Sequence, residues 1–473
     1  MYRELKMYIG GSWVDSADHA PVLDPATEET IGSVPLASDS DMDRALTAAA
    51  KAFGKWRMVS PVERSRILRR AADLIRVRAE RIAHILTLEQ GKPLKEALSE
   101  VQVTADLFDW YAEEGRRSYG RVIPSRDPKV RQLVLQEPVG PVAAFAPWNF
   151  PAVSPARKIA GALAAGCSCI IKPSEETPGT CLEIASALED AGLPAGVLNV
   201  LFGIPQQVSQ KLIGSDIIRK VSFTGSVNVG KELTKLAADG LKRVTMELGG
   251  HAPVVVFADA DVDQAARISA ASKFRNAGQV CISPSRFYVH EDVYDRFVEG
   301  FTASAKALRV GSGLAPDTDM GPLANPRRMA AMEAFVADAR AKGASVVCGG
   351  GRIGNRGYFW EPTVIANVPD TAQIMYAEPF GPVAPVTAFS TTEDLLRRAN
   401  GLKFGLAAYA FTRSTETATA ISNALEAGMV GINHTLISLP ETPFGGVKDS
   451  GYGFEGGVEG LEAYMQKKFV SQI

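Results

Sequence analysis

Cys281, Glu247 and Asn149 have the types and settings for nucleophilic catalysis. Cys281 closes the polar, glycine-containing stretch Phe274-Arg-Asn-Ala-Gly-Gln-Val-Cys281, and Ile282-Ser-Pro284 follows it. The pattern from Val262 to Phe274 predicts an amphipathic helix, and Arg286 to His290 predicts a strand. A cysteine at such a junction is held by the backbone yet reachable. Its attacking form is the thiolate, so it needs a base or a positive field nearby. Core filling is the commoner fate of a cysteine and stands as the alternative. Glu247 ends the run Val244-Thr-Met-Glu-Leu248, just before Gly249-Gly250. A carboxylate beside flexible glycines can serve as a general base; a solvated strand-end charge is the bland reading. Asn149 lies in Pro147-Trp-Asn-Phe-Pro151, where its amide suits an oxyanion, Trp148 could wall a cofactor, and a simple turn is the alternative.

Two further stretches suit a nucleotide. Phe223-Thr-Gly225-Ser226 reads as a strand, a glycine turn and a helix start, where backbone N–H groups can hold a pyrophosphate. It is not a G-x-G-x-x-G fingerprint. Lys172 and Glu175, three apart at a strand end, suit ribose hydroxyls. The other cysteines, Cys167, Cys169, Cys181 and Cys348, read as structural, and no ligand set for a metal accompanies them. A cysteine–histidine hydrolase would need His251 or His434 beside Cys281, and neither has a recognisable setting.

The elements that must position these residues alternate. From Val139 onward the expected order is strand Val139–Ala146, helix Pro155–Ala165, strand Cys167–Lys172 and helix Pro178–Ala191. Strand Val197–Gly203, helix Gln206–Ile213, strand Lys220–Thr224, helix Val227–Ala238 and strand Val244–Leu248 follow. Such order implies a parallel sheet covered by helices, a Rossmann-like domain. A second α/β run starts at Ala252–Phe257, placing a domain boundary at Gly249-Gly250. Upstream, Gly10-Gly11 and Asp24-Pro25 signal a small hairpin. Ser60-Pro-Val-Glu63 opens a helix with a capping box, expected to run through Arg64–Leu88 and to stop near Gly91. Another helix is expected from about Leu94 to Gly115. Val130–Gln136 and Tyr464–Ile473 look like lone strands that need a partner, such as another subunit.

Composition bounds the class. The 473 residues exceed one ordinary core, so two or three domains are expected. Apolar residues at 46% and charged residues at 22% are globular values. Lys plus Arg at 51 against Asp plus Glu at 53 leaves a net charge of −2, which favours neither nucleic acid nor a membrane surface as partner. The first residues lack the apolar core of a signal peptide, and the longest apolar run, Ile159 to Ile171, is too short to span a bilayer. Five cysteines imply no disulfide framework, and a cytoplasmic location fits best.

Together the motifs resemble the aldehyde dehydrogenase superfamily along nearly the whole chain. They are, in order, Pro147–Pro151, Lys172–Glu175, Phe223–Ser226, Met246–Gly250, Gly278–Cys281, Glu378-Pro-Phe-Gly-Pro382 and Pro443-Phe-Gly-Gly446. Glu247 and Cys281 stand 34 residues apart. The resemblance implies that Cys281 attacks an aldehyde, that Asn149 and the Cys281 N–H hold the oxyanion, and that Glu247 activates the hydrolytic water. It implies NAD or NADP as cofactor, with Trp148, Lys172, Glu175, Gly225, Ser226, Glu378 and Phe380 around it. NAD is expected to be preferred, because Glu175 would repel a ribose 2′-phosphate. Within the superfamily the chain looks like the succinate semialdehyde dehydrogenases, whose substrate-carboxylate positions match Arg157, Arg275 and Ser438. Phe274–Phe287 and Pro443–Gly457 look closer still to 2-oxoglutarate semialdehyde dehydrogenases. Some succinate semialdehyde enzymes carry a second, redox-active cysteine two residues after the nucleophile; here that position is Ser283.

The expected architecture is α/β. Residues 1–119 and 139–249 would form the NAD(P)-binding domain and 250–443 the catalytic domain. Residues 120–138 and 459–473 would form an oligomerisation arm, in a homodimer or homotetramer. A broader-specificity aldehyde dehydrogenase, a cysteine hydrolase and a catalytically silent structural protein are the competing functions.

Overall fold

The computed structural model describes residue 2 and residues 4–473. Residues 1 and 3 of the expected first domain lie outside the described residues. Five parallel strands form the centre of an eight-stranded sheet, in the spatial order Arg243–Glu247, Lys220–Thr224, Val142–Phe145, Cys169–Lys172, Leu198–Val200. The order reverses at Val142–Phe145, whose neighbours are the second and the fourth of these strands in the chain. In such sheets the ligand crevice opens at the carboxyl ends beside this reversal. The turns leaving the strands there carry Trp148, Asn149, Gly225 and Ser226. Antiparallel strands finish both edges: Gly451–Tyr452 on one, Met7–Ile9 and Ser12–Val14 on the other.

A second sheet of seven strands runs Ser345–Cys348, Thr363–Ala366, Val383–Phe389, Pro284–His290, Ala252–Val256, Ala407–Phe411, Met429–Ile432. All its pairings are parallel except that of Ser345–Cys348. Each sheet has its own apolar core. One core takes buried residues up to Leu248 and returns at Leu461–Met465, and the other begins at Ala252. Strand Met465–Gln472 pairs antiparallel with Arg131–Pro138, which pairs with Arg121–Ile123. The two lone strands thus pair with each other within the chain. Residues 459–462 of the expected arm belong instead to the helix Gly457–Glu462, whose Leu461 joins the first core.

Helices cover the sheets largely where the sequence pattern predicts them. The helix expected through Arg64–Leu88 is two, Pro61–Val77 and Ala79–Gln90, with Arg78 between them out of helical geometry. Both halves carry apolar faces, so periodicity alone reads across the break. The second half does stop at Gly91, in the left-handed region at φ 93°. The capping box at Ser60 is only half formed. Ser60 Oγ accepts from Glu63 N at 3.2 Å, but the Glu63 carboxylate turns to Arg66. The complete reciprocal box lies at Ser38 and Asp41. Two hairpins form at the N-terminus where one was expected, with strands Met7–Ile9/Ser12–Val14 and His19–Leu23/Thr30–Pro35. Among the described residues no helix is long and apolar enough to cross a membrane.

Candidate active site

A cavity of about 900 Å³ is lined by residues of both cores. Cys281, Glu247 and Asn149 all line it, as do Trp148, Arg157, Gly225, Ser226, Arg275, Glu378, Phe380 and Ser438. Lys172 and Glu175 are not part of its wall. They pair with each other at 2.6 Å, and Gly203 N donates to Glu175 Oε1 at 3.2 Å. Lys172 lies in register with Phe145 on the neighbouring strand, at the carboxyl edge of the sheet.

Cys281 follows a short 3₁₀ turn, Arg275–Gly278, in which Asn276 and Ala277 both take φ near 51°. Gly278 at φ 71° lies so close to Gly381 that a Cβ would stand 2.2 Å from its carbonyl oxygen. Only glycine allows that approach. Burial, with the carboxylates of Glu378 and Glu247, pushes the Cys281 thiol up to about 12. The Arg157 charge and the Ile282 N–H oppose that rise.

Glu247 ends its strand 2% exposed, and neither carboxylate oxygen has a hydrogen-bond partner. Burial and then the charge of Glu455 hold its carboxyl well above the usual range; Lys158 and Arg157 pull the other way. A raised proton affinity suits this carboxylate to the work of a general base. Lys158 and Glu455 form a buried ion pair, and Lys158 Nζ also donates to Thr224 Oγ1 at 2.7 Å. Sequence reasoning missed both. Lys158 had one legible signal, a second basic residue after Arg157 at the start of the charge-free stretch Ile159–Ala165. Glu455 had none. It reaches the site because its backbone bridges to Phe444, with Phe444 N donating to Glu455 O at 2.7 Å and Glu455 N to Phe444 O at 2.9 Å.

Arg157 is 4% exposed, on the helix Val153–Ala165. Its Nη2 donates to Ser438 Oγ at 2.7 Å, and its guanidinium lies 4.3 Å over the Phe444 ring. Its Nε is buried with no partner. Arg275, more exposed, lies 5.5 Å over the Phe150 ring. Arg157 and Arg275 are thus both stacked on aromatic faces. Tyr409, Ile437 and Leu439 extend the apolar wall, and Tyr409 OH donates to Ile282 O at 2.7 Å.

A second group of lining residues suits a dinucleotide. A Cβ on Gly225 would meet the Phe223 ring at 2.4 Å. The helix Val227–Asp239 that follows has no acidic residue in its first turn and no side-chain cap from Ser226. Its free N–H groups and positive dipole end favour a diphosphate. Trp148 and Phe380 meet edge to face at 5.5 Å. Glu378 accepts from Gly250 N at 3.1 Å, and burial raises its carboxyl to about 7. A Cβ on Gly249 would stand 2.5 Å from Glu378 Oε2. None of the five histidines lines the cavity. His251 is buried, bonded to Ser285 Oγ and Ile374 O at 2.9 Å each, which removes the support a cysteine hydrolase would need. Among the described residues no cluster of potential metal ligands occurs.

The family model for the aldehyde dehydrogenase family matches residues 13–470. The chain belongs to the aldehyde dehydrogenase family. This aldehyde dehydrogenase is 48% identical over 475 residues to a 4-(hydroxymethyl)benzenesulfonate dehydrogenase, TsaD1, of Comamonas testosteroni, covering 100% of this chain and 99% of that one. It is 42% identical to the NADP(+) succinate-semialdehyde dehydrogenase GabD of Escherichia coli, over 98% of this chain and 96% of that one. The crystal structure of a succinate-semialdehyde dehydrogenase from Burkholderia pseudomallei superposes with a TM-score of 0.98 at 44% identity, over 100% and 98% of the two chains. As a family member the protein is an NAD(P)-dependent oxidoreductase acting on aldehydes.

Proposed function

We propose that this aldehyde dehydrogenase oxidises short aldehydes carrying a distal anion, with succinate semialdehyde as the first candidate. The carrying observation is Arg157, a buried guanidinium in the cavity wall that is held by Ser438 yet keeps an unpartnered Nε. A buried guanidinium in a cavity wall favours a carboxylate as its partner. Arg275 adds a second positive charge at the more exposed side.

The chain's own residues divide the work. Cys281 Sγ attacks the carbonyl carbon to give a thiohemiacetal. The Asn149 side-chain amide and the Cys281 N–H receive the oxyanion. When bound, NAD(P) supplies the hydride acceptor. Oxidation leaves a thioester on Cys281, and Glu247 takes a proton from the water that hydrolyses it. Trp148, Gly225, Ser226, Glu378 and Phe380 would hold the cofactor, and Lys172 and Glu175 its adenosine ribose. NAD is the preferred form, since the Glu175 carboxylate opposes a 2′-phosphate while its Lys172 partner softens that effect. In this reading residues 1–119 and 139–249 bind the cofactor and residues 250–443 carry the nucleophile. The three-stranded arm joins subunits into a homodimer or homotetramer in the cytoplasm.

The phenyl faces of Phe150 and Phe444 beneath the two arginines support a second substrate class, aromatic aldehydes bearing a carboxylate or sulfonate. The 48% identical relative's name points the same way. 2-Oxoglutarate semialdehyde is a third candidate of the same anionic type. One panel tests all three: succinate semialdehyde, 2-oxoglutarate semialdehyde, 4-sulfobenzaldehyde, and the uncharged butanal and benzaldehyde, each read by cofactor reduction. Uncharged aldehydes turned over as efficiently as the anionic ones would refute the anion reading.

A further inference from the structure

We propose that the buried pair Lys92 and Glu100 is a positioning device that clamps the Asn149 turn against the Cys281 turn. The proposal rests on the reading of Asn149 as the oxyanion donor. Both side chains are almost fully buried, and their charged atoms meet at 2.5 Å. A buried ion pair is a poor source of stability, because apolar residues of the same volume usually do as well. Its contacts therefore call for another reason, and they converge on the short segment Asn149–Val153.

Lys92 Nζ donates to the Asn149 carbonyl at 2.9 Å and lies 4.1 Å over the Phe150 ring. Glu100 Oε1 accepts from Ala152 N at 2.9 Å and from Val153 N at 3.2 Å. Ala152 has no side-chain oxygen to cap the helix Val153–Ala165, so Glu100 satisfies those donors from outside. The pair thus fixes the segment that runs from Asn149 into the helix bearing Arg157. On the other side, Asn276 Nδ2 donates to the same Asn149 carbonyl at 2.9 Å and to Gln279 O at 3.2 Å. Asn149 Nδ2 donates to Gln279 O at 3.1 Å. A side-chain amide has two N–H donors. One is spent on Gln279, two residues before the nucleophile, which orients the other toward the cavity. Lys92 therefore bears on the free donor through the Asn149 carbonyl.

The test is a double-mutant cycle between Lys92→Met/Glu100→Gln and Asn149→Ala in the full-length enzyme. The first variant removes both charges together and keeps an oxygen for Ala152 and Val153. Its rates are read for aldehyde oxidation and for cofactor-free hydrolysis of p-nitrophenyl acetate. Thermal melting, iodoacetamide labelling of Cys281 and cofactor KM are read beside them. The expected result is kcat lower by about 10- to 100-fold in both reactions, the loss a shift of about 1 Å can cause. Labelling and cofactor KM stay as in the wild type, which a general loosening of the fold would not permit. Added to Asn149→Ala, the pair of substitutions costs nothing further. Lys92→Arg keeps the charge balanced but replaces a point donor with a wider fork, and it should show the same loss, again only when Asn149 is present. Multiplying losses, or a full rate in the Lys92→Met/Glu100→Gln variant, would overturn the clamp alone. A full rate in Asn149→Ala would overturn the oxyanion reading and the clamp with it.

Discussion

Arg157→Met tests the anion site most directly. Methionine keeps an unbranched apolar stem, and it removes the charge, the donors and the guanidinium that lies over Phe444. Ser438 Oγ loses a partner at 2.7 Å, and a guanidinium only 4% exposed is no longer buried, so the fold should persist. The lost contact with a substrate anion is charge-assisted and costs roughly 1.5–3 kcal/mol, about 10- to 150-fold in kcat/KM. It falls mainly on KM if the contact is equally strong in the ground and transition states. A second effect works on every aldehyde. Arg157 lowers the Cys281 and Glu247 pKa values, so its removal lets both rise further and slows attack on charged and uncharged substrates alike. The diagnostic quantity is therefore the ratio of kcat/KM for succinate semialdehyde to that for butanal, and for 4-sulfobenzaldehyde to that for benzaldehyde. The ratio should fall by the roughly 10- to 150-fold attributed to the contact. Equal losses across charged and uncharged aldehydes would show that no anion is bound there.

In the cofactor-free enzyme, Cys281 labelling by iodoacetamide should rise about tenfold per pH unit from pH 7 to 10, because a thiol pushed up to about 12 is far from half ionised in that range. A plateau below pH 9 would mean an ordinary thiol. Glu247→Gln should leave cofactor reduction in the first turnover intact and slow hydrolysis, so rapid quench should trap acylated Cys281; normal steady-state rates with no trapped acyl-enzyme would remove Glu247 from the base role. Glu175→Ser should shift the NADP to NAD ratio of kcat/KM toward NADP, as measured by initial rates with each cofactor. An unchanged ratio would place the discrimination elsewhere.

The alternation of apolar runs and amphipathic segments from Val142 to Ile432 is a local property, since burial on a sheet or a helix face is written at period 2 or 3.6. That is why both parallel sheets were legible, and why Cys281, Glu247 and Asn149 could be singled out as residues at turns between such elements. The break at Arg78 was not legible, because the apolar face continues through it. The two lone strands, Arg131–Pro138 and Met465–Gln472, could be read as strands, but not as each other's partner, across more than 300 residues of chain. The environment of Glu247 was equally hidden. Burial and then Glu455 raise its pKa while Lys158 opposes them, and these two residues are 297 apart and meet only after the chain folds back through the Phe444 bridge. Lys92 and Glu100 carry no signal in the sequence that sets them apart, and only burial places Lys92 on the Asn149 carbonyl and Glu100 on the next helix start. Side-chain type and turn position, written locally, thus determined which residues can react. Proton affinity and aim depend on which distant charges and carbonyls are desolvated beside them, and only the tertiary structure decided those.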